Sequence, residues 1–263
     1  MLAEAVKPVL AMGLVGRLDY VVRIRTDEEG DALFDVAGDL IDGRTLPHED
    51  SRFGVDEADF LWPRGFSLSE VDANLTIDDD GVELVSFTGR RGEGGIRARG
   101  HYDFELERGR GIARLRNMDV GEYLLDLIAP GSQAEARRLW ERWNPTGRFN
   151  ADLGWSRRRS ETGLDITAEP LWAEIDTTSG RTRLERERGR LRFHEGWLEI
   201  DGLAAELSTD DRLDAAVRLD GGYGYEEEGT HRRLSGVVDT AVFEAPVMEE
   251  VLRMTAGEAV ADW

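Results

Sequence analysis

Ile96-Arg97-Ala98-Arg99-Gly100-His101-Tyr102-Asp103-Phe104-Glu105-Leu106 alternates without a fault. Ile96, Ala98, Gly100, Tyr102, Phe104 and Leu106 fall on one side, and Arg97, Arg99, His101, Asp103 and Glu105 on the other. This period of two marks a strand with one dry face. Upstream, Val71, Ala73, Leu75 and Ile77 predict a strand that closes on the hairpin signal Asp78-Asp79-Asp80-Gly81, and Gly81 opens the next strand, through Phe87. Further up, Leu18, Tyr20, Val22 and Ile24 alternate with Asp19, Arg23 and Arg25, with Val21 interrupting the polar side. Beyond the turn residues Asp27 to Asp31, the run Phe34, Val36, Gly38, Leu40 pairs with them as a hairpin, and Asp42 to Arg52 reads as a loop.

Downstream the same grammar returns in Phe149, Ala151, Leu153 and Trp155, in Leu164, Ile166 and Ala168, in Leu213, Ala215, Val217 and Leu219, and in Leu234, Gly236, Val238 and Thr240. Roughly fourteen strands are expected by this count. The expected fold class is mainly β: an elongated, largely antiparallel, twisted sheet with a few short helices. Helical signals are local. Ser132 with Glu135 forms a capping box, Ala136, Leu139, Trp140 and Trp143 follow at helical spacing, and Pro145 stops the pattern. A shorter amphipathic turn spans Gly121 to Ala129. Near the C-terminus Pro246 stands at a first-turn position, with Val247, Val251 and Leu252 as its stripe and Gly257 at its end.

The pieces recur: strand, turn at Gly81, strand, long strand, strand and helix are followed by a second set around the turn at Gly196 and the Pro246 helix. This divides the chain into a first β unit, 1–130, a helical connector, 131–146, and a second β unit, 147–263. At 263 residues, 40% hydrophobic and 33% charged, the chain is long enough and apolar enough to fold around a core. Its formal net charge of −21 argues against nucleic acid as a partner and sets the surface as a whole against anionic layers. Without cysteine there are no disulfides, thiol nucleophiles or thiolate metal sites. The apolar opening, Leu2 to Val15, is interrupted by Glu4, Lys7 and Pro8 and falls short of the ~20 residues a bilayer span needs. It lacks a signal-peptide pattern, so the residues leave two readings, a cytoplasmic chain or part of a longer one with an upstream targeting segment.

No catalytic constellation emerges. His48, His101, His194 and His231 are far apart, and none has a helical metal-ligand spacing. The Asp78 to Gly81 run lacks the spaced ligands of a calcium loop and reads as a turn. Glycines 89, 92, 94 and 95 are interleaved with Arg90, Arg91 and Glu93 and precede no helix, so they read as a hairpin loop rather than a phosphate cradle. His194 beside Glu195 reads as a surface pair, and Trp140 with Trp143 as the packing face of their helix. No metal, no cofactor and no enzymatic activity are expected. Because about three short helices cannot cover so many strands, the apolar side must pack on other strands as a sandwich or face a ligand.

The ordered set of an acidic turn, the Gly81 to Phe87 segment, a glycine-rich loop, the Ile96 to Leu106 strand and a closing Leu115-Arg116-Asn117-Met118-Asp119-Val120 before a short helix resembles the AsmA-like and TamB group of bacterial envelope proteins. The resemblance spans Leu14 to Leu252. It implies a half-open β-groove whose apolar floor guides phospholipid acyl chains between membranes or assists outer-membrane assembly, without enzymatic activity, with other envelope proteins as partners. It also implies a periplasmic location, tethered to the inner membrane through a segment outside this chain. The expected lipid contacts are Leu18, Tyr20, Val22, Ile24, Ile96, Ala98, Tyr102, Phe104, Leu213, Val217 and Leu219. The competing reading is a β-sandwich binding or scaffold module whose apolar core is closed.

Overall fold

A computed structural model describes residues 14–26, 32–45, 66–127, 133–158, 161–177, 180–194, 197–209, 212–226 and 229–239. Twelve strands are placed among them in one sheet, and the order in the sheet is the order in the chain. They are β1 (Leu14–Thr26), β2 (Ala32–Thr45), β3 (Ser69–Asp78), β4 (Gly81–Arg91), β5 (Gly94–Asp103) and β6 (Arg108–Asp119), then β7 (Thr146–Arg158), β8 (Glu161–Thr177), β9 (Gly180–His194), β10 (Trp197–Thr209), β11 (Arg212–Glu226) and β12 (Gly229–Asp239). Every pairing whose register is described is antiparallel. The chain is mainly β, as its alternation predicts, with a 3-10 turn at Glu122–Leu127 and one described α-helix, α1 (Gln133–Trp143). Helix α1 stops where expected: Asn144, at φ 42°, donates its N–H to the Trp140 carbonyl at 2.7 Å, and Pro145 follows. The Pro246 helix lies outside the described residues.

The strand boundaries correct several expectations. The alternation through Leu106 outruns its strand: β5 ends at Asp103, and Phe104 to Glu107 make the turn. Asp103 carboxylate oxygen accepts the Leu106 N–H at 2.8 Å, and the Phe104 N–H is taken by the Asp80 carbonyl at 2.9 Å. The glycine-rich segment forms the expected hairpin, but its loop is only the two-residue turn Gly92-Glu93, with Gly92 at φ 55°, and the other glycines belong to the strand ends. Likewise β4 runs past Phe87 to Arg91, and β2 continues through Asp42 to Thr45.

Two compact units divide the chain. One comprises Met1–Met118, Tyr123–Leu127 and Asp152–Asp165, and the other Asp119–Glu122, Ile128–Ala151 and Ile166–Trp263. In the first unit the alternation of the sequence breaks in several places, and three of these breaks coincide with an irregularity of the ladder. Apolar residues 82 and 84 are followed by Phe87 rather than residue 86, and the register shifts between Leu84 and Phe87. The extra residue of a β-bulge restores Phe87 to the apolar face. The same happens between Leu40 and Gly43, where Asp42 takes φ 52°, and between Ser69 and Asp72, where Glu70 takes φ 50°. In the second unit β10 shifts between Ile200 and Leu203 around Gly202, at φ 56°.

Burial is deep at one end of the first unit's apolar face. Phe66, Leu68, Val71, Phe87, Met118, Tyr123 and Leu125 are all buried there or in the segments that approach it. Arg91 stacks its guanidinium over Tyr123 at 4.7 Å and over Phe66 at 5.3 Å, so the charge is held on aromatic faces. Thr45, 1% exposed, is satisfied from both sides: its hydroxyl oxygen accepts the Leu68 N–H at 2.7 Å, and its own N–H reaches the Leu68 carbonyl at 2.9 Å. The second unit has its own core of Ala205, Leu207 and Val217, with Leu184 packed against it.

Candidate functional site

Register turns the strand alternation of the first unit into continuous apolar rows. One row runs Leu18, Leu40, Ala73, Phe87, Ala98, Ala113 across six strands, each residue directly opposite the next. A second runs Val22, Val36, Ile77, Val82, Tyr102, Gly109, and between them lies Tyr20, Gly38, Leu75, Leu84, Gly100, Gly111. Seven of the eleven residues expected from the sequence to touch lipid are thereby brought onto one face. Leu18, Tyr20, Val22 and Ile24 join Ile96, Ala98 and Tyr102 there.

At its β1 end the described part of this face is exposed. Leu18 is 57% exposed, Tyr20 65%, Val22 49% and Ile24 74%. Leu40, Leu75, Ile77, Val82, Leu84 and Tyr102 are half-buried, which contrasts with the sealed end around Val71 and Met118. Phe104 has left its strand for the turn, yet its ring stays edge-on to Tyr102 at 6.1 Å. Glycines keep the middle of the face low. A Cβ on Gly109 would lie 2.7 Å from the Tyr102 ring and 2.9 Å from the Trp155 ring, so Trp155 of β7 lies across this part of the floor.

In the second unit Val217 is buried in the core with Ala205 and Leu207, out of reach of a ligand on the surface. Leu213 and Leu219 have their main chain placed opposite Ser208 and Leu203, but their side chains lie outside the described residues.

The opposite face of the first unit is charged, with Glu83, Arg99, His101 and Arg110 among its residues. A concavity of about 930 Å³ spans β3 to β6, lined by Thr76, Glu83, Arg99, His101, Arg110 and Ile112 among others. Val82, Leu84 and Tyr102 of the apolar rows line it as well, so its lining draws on residues of both faces. Its volume is within the range of small-molecule sites. Asp78 at its rim is used in the hairpin, where one carboxylate oxygen accepts the N–H groups of Asp80 at 3.1 Å and Gly81 at 2.9 Å. His101 stands opposite Glu83 and Arg110 on this face, and His194 ends β9, exposed. His48 lies outside the described residues, as does Glu195 beside His194; His231 has only its main chain placed, opposite Gly224. No group of three or more His, Asp or Glu positioned to hold a metal occurs among the described residues.

The charged face of the second unit is an ion-pair lattice. Glu174 accepts from Arg183 and Arg181, both at 2.9 Å, and these hydrogen bonds hold its carboxyl below the ordinary glutamate value. Arg183, also bonded to Glu185 at 2.8 Å, is held above the ordinary arginine value and stacks on Trp172 at 4.6 Å. The Arg-Glu alternation of β9 carries this signal in the sequence, although which acid meets which arginine depends on register. Trp155 and the bulges were likewise legible only as breaks in pattern or as one aromatic among several. Comparison of the chain with protein-family models, with curated proteins and with solved structures finds no match.

Proposed function

We propose that this protein is a non-enzymatic lipid-binding module whose apolar sheet face receives phospholipid acyl chains. The observation that carries the reading is the set of apolar rows across β1 to β6, left largely open to solvent at the β1 end. Apolar surface on this scale is costly to leave in water, and each methylene of an acyl chain laid on it contributes ~0.8 kcal/mol. The contacts are non-directional, so a chain can slide along a row without breaking a specific bond. The resemblance to the AsmA-like and TamB group extends the proposal to transfer between membranes in the bacterial envelope.

The second reading, a binding or scaffold module whose apolar core is closed and takes no lipid, draws support from the buried core of Ala205, Leu207 and Val217 in the second unit. Native mass spectrometry of the purified full chain, followed by solvent extraction, separates the two. The lipid reading expects co-purifying phospholipid, or uptake of a fluorescent phospholipid from donor vesicles. A protein that carries none and takes up none refutes it.

A further inference from the structure

The outward face of β5 and β6 is basic in a chain whose net charge is −21. These two strands carry Arg97, Arg99, Arg108, Arg110, Arg114 and Arg116, against Asp103 and Asp119. Register sets Arg97 directly opposite Arg114. Like charges in that position lie ~5 Å apart at Cβ and weaken a sheet. Counter-ions are scarce. Asp152 serves Arg116 at 2.9 Å and Arg114 at 3.9 Å, and among the described residues Arg97, Arg99, Arg108 and Arg110 have no ion pair. Of the acids around them, Asp78 and Asp103 each use a carboxylate oxygen on main-chain N–H groups, Glu83 faces His101, and Asp80 lies at the hairpin end of the concavity over β3 to β6. Two large aliphatic side chains, Val85 at 46% and Ile112 at 42% exposure, stand among the arginines.

From this arrangement we infer that the β5–β6 face docks on the surface of a bilayer containing anionic phospholipid. Guanidinium groups bind phosphate through paired N–H donors. Their spread over two strands matches a field of headgroups rather than one phosphate. All six arginines stand on strands, so among the described residues no helix N-terminus lies between them to enclose a single free anion. Val85 and Ile112 fit the headgroup boundary, whereas a nucleic-acid surface calls for stacking rings among the arginines. The net negative charge of the whole chain is screened beyond ~8 Å at physiological ionic strength, so at contact the local patch dominates.

The test is flotation of the full chain with phosphatidylcholine vesicles, with and without phosphatidylglycerol, at low and raised salt. Binding should require phosphatidylglycerol and fall with salt. Arg97→Glu, and the pair Arg99→Glu with Arg110→Glu, should weaken it by at least about tenfold, while Arg188→Glu, the same charge change on an exposed β9 position, should leave it intact. Arg97→Glu replaces a repulsive cross-strand pair by an attractive one, so its thermal midpoint should equal or exceed that of the parent protein. Lost docking in that variant therefore reflects the site and not the fold. Equal binding to both vesicle types, indifference to the charge reversals, or effective competition by inorganic phosphate or duplex DNA at matched ionic strength overturns the inference. Phospholipid retained by the purified protein is read separately by mass spectrometry, so failure here leaves the acyl-chain reading distinguishable.

Discussion

Gly109 sits against two rings that leave no room for a side chain of its own. A methyl group there would press on Tyr102 at 2.7 Å and on two atoms of Trp155 at 2.9 and 3.0 Å, so both rings would have to shift. Gly109→Ala should therefore cost ~1–3 kcal/mol, read by denaturant titration, with a shift in tryptophan emission. Gly95→Ala is the contrast, because its nearest neighbour is a carbonyl oxygen at 3.8 Å and the change should stay within ~0.5 kcal/mol. Glu174 is a different kind of residue, held by charge. Its carboxyl titrates below its unfolded value because Arg183 and Arg181 bond to the ionised form. The stabilisation is accordingly present above the unfolded value of 4.5 and is lost as pH falls through the lower folded value. Glu174→Gln should lower stability by about 0.5–1 kcal/mol at neutral pH, a figure kept small because both arginines are more than a third exposed. The difference between variant and parent should vanish in acid unfolding experiments below that window; a difference that persists there contradicts the assignment.

At the scale of the element, β5 shows what alternation can and cannot say. Its two faces were readable from Ile96 onward, because side chains of an extended chain must point to opposite sides in turn. Its end was not, since Phe104 and Leu106 keep the pattern after the backbone has turned. The stop is written in hydrogen bonds to Asp103 and Asp80, which period-two patterning does not register. The bulges are the converse case. A slip in the apolar pattern at Leu84 to Phe87 looks like the end of a strand, yet the strand absorbs the extra residue and continues. These differences sharpen one contrast along the apolar face. Met118, fully buried at the sealed end, should lose ~2–4 kcal/mol on truncation to Ala. Ala98→Asp, in the half-buried middle of a row, should leave a folded protein by circular dichroism while abolishing lipid retention. Unfolding by Ala98→Asp would instead identify that row as closed core.

For the molecule as a whole, the strand order makes every described sheet contact a contact between neighbours in the chain. Such a meander is close to one-dimensional in its energetics, because no strand depends on a distant one for its ladder. Destabilisation should stay local. Ala205→Asp, which places a charge in the core with Leu207 and Val217, should raise amide exchange in β9 to β11 while leaving β4 and β5 protected; uniform loss of protection would contradict this. The same topology explains how much of the candidate site was legible. Within each strand, the sequence determined by itself which residues share a face, because the pleat imposes a period of two on any extended chain. It also determined the mainly β class, since too few helical stretches exist to form another. Only the tertiary structure decided which strands lie side by side and in what register. That placement lined up Leu18 with Ala113 through four intervening strands, buried Val217, and set Arg97 against Arg114. The physical reason is that register depends on turns and bulges, each a choice of one residue, and a slip of one residue sends every later side chain to the other face.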